Sequence, residues 1–280
     1  MNDIAIETWG LIAGYGLFII PLGILLWAKV PLVGKMLIGI VRMTVQLLLV
    51  GFYLQVVFKL NNPWLNAVWV LVMIFVADVS IARGAGLQFR KFALPLFAAL
   101  LIGIAVPLLY FLGVILRLPN LFEARFVIPI GGMILGNCLR ANIIGMSRFF
   151  HSIRQSEKAF CQTLADGATL AEATRPYLQQ TLQEALAPTL GMMSTIGLVA
   201  MPGMMTGVIL GGSDPMTAIG YQIAIMIAIF TGTNITILLA IVLTRRVGFN
   251  ASGMLKKDLF TMTALSSIAN IRLFFGCSFS

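Results

Sequence analysis

Histidine and carboxylates are scarce in this chain. Its 280 residues hold one histidine, His151, and 10 Asp and Glu, so a His- or carboxylate-built metal centre has few ligands to draw on. Three cysteines, Cys138, Cys161 and Cys277, are odd in number and lack paired spacing, which indicates neither a disulfide framework nor a zinc site. HExxH, GxSxG and the phosphate loop GxxxxGK[ST] are all missing, so nucleotide hydrolysis by the chain alone is not expected and no enzyme class is indicated. Charged residues of both signs make up only 10% of the chain, against 59% hydrophobic. With a mean hydropathy of +0.98, this excludes an ordinary soluble domain and describes a polytopic membrane protein. The net charge of +9 is dispersed between apolar runs rather than gathered in one patch, which fits anchoring of membrane loops and not nucleic-acid binding. The start, MNDIAIETWG, is acidic and lacks the basic region of a signal peptide, so the first apolar run is expected to stay as a span.

A helix needs about 20 apolar residues to cross the hydrocarbon core. Seven segments qualify, at 8–28, 36–57, 64–82, 93–115, 126–146, 188–210 and 221–243. The expected fold is therefore all-α. Basic residues between spans 1 and 2 (Lys29, Lys35), 3 and 4 (Arg83, Arg90, Lys91), 5 and 6 (Arg148, Arg154, Lys158, Arg175) and after span 7 (Arg245, Arg246, Lys256, Lys257) all fall on one side. The positive-inside rule then places the N-terminus outside and the C-terminus inside. Residues 1–249 form the transmembrane domain, and 250–280 a cytoplasmic tail, either interfacial and amphipathic or disordered.

The long loop, 147–187, is polar and rich in helix formers. RQSEKAFCQTLAD reads as one helix ending at Gly167, a residue suited to the left-handed C-terminal cap; TLAE, from Thr169 to Glu172, matches the capping box that opens another. The turn Asp166-Gly167-Ala168 then projects into the cytoplasm. Pro176 is expected to kink or break the second helix, and Pro188 to sit in the first turn of span 6.

Inside the spans, polar residues and helix breakers stand out. Pro202 and Gly203 interrupt GLVAMPGMMTGVILGG, at costs in water of about 3 and 1 kcal/mol. In lipid such a break must face protein, ordered water or a polar cavity, and it serves as a packing kink or as a transporter hinge. Met192, Met193, Met201, Met204 and Met205 flank it, as adaptable packing or as soft ligands. Arg42 and Asp78 stand at similar depth in consecutive spans, where they pair, face a wet cavity or snorkel; Gln46 shares the face of Arg42. In VIPIGGMILGNCLRAN, Gly132 and Gly136 form a GxxxG pair for close helix approach. Asn137 and Asn142 are placed to bond across that contact, with Arg140 toward the cytoplasmic end. Thr233 and Asn234 are polar near mid-membrane, as helix glue or pathway lining.

VIPIGGMILGN, LADGATLAEATRP and GLVAMPGMMTGVILGGSDPMTAIGYQI together resemble the iron-export ABC permease family of the FetB type, whose plant relatives include aluminium-tolerance permeases. The likeness runs from VRMTVQLLLVG in span 2 to TRRVGF after span 7. It implies a permease subunit in the plasma membrane (the bacterial inner membrane), paired with itself and with two copies of a separate cytoplasmic ATPase that binds ATP and Mg. This chain itself would bind no cofactor. It also implies that the loop turn is the coupling element docking on the ATPase, with Glu157, Ala159, Asp166, Gly167, Ala168 and Thr169 as the contact residues. Pro202 and Gly203 would be the hinge, with Met201, Met204, Met205, Asn137 and Asn234 along the pathway. The cargo implied is iron or another metal, although no metal ligands are legible. A nucleotide sugar or lipid-like solute, an ion-driven secondary carrier and a membrane scaffold without transport stand as alternatives. The tail after Phe260 and the number of methionines around the break depart from the family pattern.

Overall fold

The computed structural model describes residues 8–60, 62–250 and 253–256; most of the tail 250–280 lies outside them. The described residues are helical, with two isolated bridges and no strand. The chain divides into two compact units, Met1–Leu60 and Asn61–Ser280.

The first unit holds α1 (Thr8–Gly16), α2 (Ile19–Trp27) and α3 (Val33–Leu60). The first apolar run is interrupted at Leu17 and Phe18 rather than continuous. Tyr15 Oη and Thr44 Oγ1, 2.6 Å apart, tie α1 to α3. Arg42 and Gln46 lie on the exposed surface of α3.

The second unit holds α4 (Pro63–Gly84), α5 (Phe89–Tyr110) continued by a π-helical turn (Phe111–Ile115), α6 (Ala124–Gln155), α7 (Glu157–Ala165), α8 (Leu170–Thr195), α9 (Gly203–Leu210) and α10 (Pro215–Gly248). Helix starts follow local chemistry. Asn62 accepts from the Trp64 amide at 3.0 Å ahead of Pro63, and Asp214 accepts from the Thr217 amide at 3.1 Å ahead of Pro215. Each combines a side-chain cap with a proline whose missing N–H has no partner to lose. The core lies where α4, α5, α6 and α10 pack, around Ile74, Ile81, Leu96, Leu100, Ile134 and Ile237.

Among the described residues, six helical segments are long and apolar enough to cross a membrane; the expected span at 188–210 is not among them. That segment is split, because α8 ends at Thr195 and α9 starts only at Gly203. Pro176 and Pro188 both lie inside a continuous α8, so Pro176 does not break the helix and Pro188 does not open one. α6 also runs beyond its expected end to Gln155, which leaves Ser156 as the junction with α7.

Helices α5 and α10 approach closely. A Cβ built on Gly103 would collide with Thr236 Cγ2 and come within 2.9 Å of its backbone nitrogen; one on Gly232 would stand 3.2 Å from the Gly103 carbonyl oxygen. Gly232 and Thr236 are four apart and share a face, so this is a small-xxx-small contact. The GxxxG pair of α6 behaves differently from expectation. Gly132 meets Met73 of α4, whereas Gly136 has nothing within 4 Å of where a Cβ would stand.

Candidate coupling hairpin and membrane pathway

α7 and α8 form a helical hairpin beyond the end of α6. Gly167 adopts φ +93°, which stops α7 and reverses the chain. Thr169 then starts α8 with a full capping box. Its amide and hydroxyl donate to Glu172 Oε2 at 2.8 and 2.7 Å, and its Oγ1 accepts from the Glu172 amide at 3.3 Å. Those two bonds, the hydroxyl's first and the amide's second, hold the Glu172 carboxyl below its ordinary range. Gln162 Nε2 donates to Asp166 Oδ1 at 2.9 Å, bracing the turn from the α7 side.

The hairpin is anchored at its base and open at its tip. Phe160 is buried, packing edge-on against Tyr177 of α8 (centroids 6.0 Å apart) and tilted against Phe249 just past α10 (5.7 Å). Arg245 of α10 donates to Thr174 Oγ1 at 3.2 Å, and Arg148 of α6 pairs with Glu184 of α8 at 3.0 Å. Glu157, Ala159, Asp166, Gly167 and Thr169 are exposed, and Ala168 is half-buried. The exposed tip is thus tied at its base, by aromatic and polar contacts, to α8 and to the end of α10.

Beyond Thr195 the chain leaves the helix for seven residues. Gly197, at φ +85°, turns it left-handed, and a parallel bridge joins Ile196 to Ala200. The amides of Ile196, Gly197, Leu198 and Val199 find the carbonyls of Met192, Ala200, Thr195 and Thr195, so the turn satisfies much of its own backbone. Pro202 sits in extended backbone immediately before α9 and Gly203 begins that helix, so the pair ends the break instead of forming its centre. Leu198 is 90% and Val199 83% exposed, and Met201 is also exposed. The shelter expected for this break does not come from the described residues. Met192 is exposed, and Met193, Met204 and Met205 are half-buried.

Polar residues in the helices divide into those that bond across a helix contact and those that bond within their own helix. Asn142 is fully buried and donates to Thr236 Oγ1 at 2.9 Å, joining α6 to α10 rather than to α4, which Gly132 meets. Cys138 Sγ lies 3.8 Å from Thr233 Oγ1 at the same interface. Asn137 and Asn234, by contrast, donate to carbonyls of their own helices, at Met133 and Phe230. Asp78 is 1% exposed on α4, and neither carboxylate oxygen has a hydrogen-bond partner among the described residues. Met73 packs at Gly132 and Gly84 at Ile143, so α4 and α6 run parallel with one register, and Asp78 stands at the level of Asn137. No group of three or more metal-ligating side chains occurs among the described residues.

Long apolar helices packed through small residues, with a polar hairpin at one end, define a multi-pass helical membrane protein. The chain belongs to the family described as Uncharacterised protein family (UPF0014), which matches residues 8–249. It is 34% identical over 223 residues to the UPF0014 membrane protein slr1647 of Synechocystis sp., covering 79% of this chain and 86% of that one. It is 30% identical over 223 residues to the "Probable iron export permease protein FetB" of Escherichia coli, covering 80% and 85%. The Protein ALUMINUM SENSITIVE 3 of Arabidopsis thaliana is 32% identical over 202 residues, 71% of each chain. No solved structure matches.

Proposed function

We propose that the chain is the membrane-spanning subunit of an ABC transporter that exports iron or another metal ion from the cytoplasm. The iron-export permease among its relatives supports the cargo. The hairpin carries the reading: a helical turn held open at Gly167, exposed at its tip and clasped to α10 through Phe160, Arg245 and Phe249, is built to receive a push from a docked partner. That partner is a cytoplasmic ATPase holding ATP and Mg, met by Glu157, Ala159, Asp166, Gly167, Ala168 and Thr169. Two copies of this chain and two ATPases form the working complex in the plasma membrane. The second copy shelters the exposed turn at Leu198 and Val199, since apolar surface and bent backbone at membrane depth need protein around them.

α8, the turn at 196–202 and α9 together make a discontinuous crossing, which brings the number of crossings to seven with the N-terminus outside. The chain reaches from the α6 end of the hairpin to Asp214 by no other route. The methionine-flanked turn then works as the hinge.

Inverted membrane vesicles provide the test. With the ATPase present, ATP should drive iron into the vesicle lumen, and without it there should be none. Gly167→Val, which forces a β-branched residue to φ +93°, should leave ATP hydrolysis running while iron movement falls about tenfold. Iron uptake driven by an ion gradient with no ATPase would replace this reading with a secondary carrier.

A further inference from the structure

Between α6 and α8 lies a cavity of about 70 Å³ lined by Asn137, Arg140, Ala185, Pro188, Thr189 and Met192. Asn137 stands 13 residues from the start of α6, about 20 Å along it, which is the middle of a bilayer-crossing helix. Arg140 makes neither an ion pair nor a hydrogen bond with the described residues; it is exposed and is one of the residues lining this cavity. The acid on the same seam, Glu184, is already held by Arg148 at 3.0 Å. Thr189 is 94% buried and its hydroxyl has no partner among the described residues. The hydroxyls of Thr174, Thr233 and Thr244 instead bond back to the carbonyl four residues earlier. Asn137 uses one amide hydrogen on Met133 and keeps the rest of its amide free. Two turns nearer the hairpin, the same seam opens into a second cavity lined by Arg148, His151, Gln155 and Gln180.

An unpaired guanidinium repels a bare divalent cation and takes a carboxylate or phosphate through two parallel charge-assisted bonds. The Thr189 hydroxyl and the free amide beside it add donors for the same oxygens. We propose that the α6–α8 seam binds an anionic cargo by its carboxylate or phosphate group. Arg140 is the anchoring cation, Thr189 and Asn137 are supporting donors, and the Arg148 end is the mouth. This rests on the permease reading and narrows it: a metal leaving by this route travels as an anionic chelate, not as the free ion.

The test is equilibrium binding to the purified full chain in lipid nanodiscs, without an ATPase. The probes are citrate, ferric citrate, inorganic phosphate and cobalt(II) chloride in a non-coordinating buffer. At least one anion should bind saturably, weakened about tenfold or more in Arg140→Gln and about threefold in Thr189→Ala, while Arg140→Lys falls between. Citrate against ferric citrate separates a free anion from a chelated metal. Cobalt should neither bind at the seam nor compete. Anions that fail to bind, or that bind Arg140→Gln as they do the native chain, overturn the proposal, as does cobalt binding that Arg140→Gln leaves unchanged. Should Arg140→Gln not fold, the Thr189→Ala comparison decides the matter by itself. Failure here leaves the ATPase-dependent uptake test standing, and failure of uptake leaves this binding measurement standing.

Discussion

A single missing Cβ sets how closely α5 and α10 approach. At Gly103 the obstacle is Thr236, including its backbone nitrogen at 2.9 Å, and backbone cannot step aside as a side chain can. Gly103→Ala must therefore spread two buried helices, an overpacking cost of about 1–3 kcal/mol. Gly136→Ala meets nothing within 4 Å, and in a helix it should be neutral or stabilising by up to about 1 kcal/mol. Thermal unfolding of the two variants in detergent measures the contrast: Gly103→Ala should melt lower than the native chain, and Gly136→Ala at or above it. Equal melting points would mean that the α5–α10 contact yields readily. Sequence spacing singles out Gly132 and Gly136 because they are four apart on one helix. Gly103 and Gly232 are 129 positions apart, and nothing local marks them as facing one another.

At the level of the element, the hairpin was the most legible part of the chain because its signals are local. Gly167 as the helix stop and Thr169 with Glu172 as the next start need only three or four neighbouring residues, and both stand where the spacing puts them. The break after α8 was less legible. Propensity marks Pro202 and Gly203, whereas the turn opens at Ile196 and depends on Gly197 in left-handed backbone, a conformation that no proline signals. Pro176 and Pro188 stay helical because tertiary packing of α8 on α6 and α10 overrides propensity. Each element has its own test. Because Glu172 has a lowered carboxyl pKa, its help to the cap is complete above the ordinary glutamate range of about 4.3 and is lost as pH falls through and below it. The protection of the Thr169 amide, its exchange rate taken relative to the intrinsic rate at each pH, should therefore fall below that range in the native chain, and Glu172→Gln should flatten this dependence. Thr169→Ala should cost the start of α8 about 1 kcal/mol at neutral pH, read from the same amides. At the break, Gly197→Ala meets no atom within 4 Å, so its cost of about 1–2 kcal/mol is conformational alone and favours extending α8 through the turn. Hydrogen exchange at the amides of 198–201, measured in detergent, should then slow; unchanged exchange would show that the turn is set by its surroundings.

For the whole molecule, the arrangement of the hairpin and the end of α10 bears on how often the chain crosses the membrane. Phe249 packs on Phe160, and Arg245 bonds Thr174, so the C-terminal end of α10 lies with the hairpin. α10 has 34 residues, about 51 Å at 1.5 Å each, which puts Asp214 at the opposite face of a hydrocarbon core about 30 Å thick. The proposed seven crossings then require α8 and α9 to carry the chain across jointly, with the turn at 196–202 inside the bilayer. In the proposed orientation, the basic residues Arg148, Arg154, Arg245 and Arg246 put the hairpin side in the cytoplasm. Labelling tests both points. Cys161 is half-exposed on α7 and Cys138 is fully buried, so in a Cys277→Ser background a membrane-impermeant maleimide reads Cys161 alone. It should react in inverted vesicles and be protected in right-side-out ones. In a chain also carrying Cys161→Ser, Ser213→Cys, placed between α9 and α10, should show the reverse. Both positions reacting from one side would mean that α8 and α9 turn back without crossing, and the broken crossing would lose its place as the transport hinge.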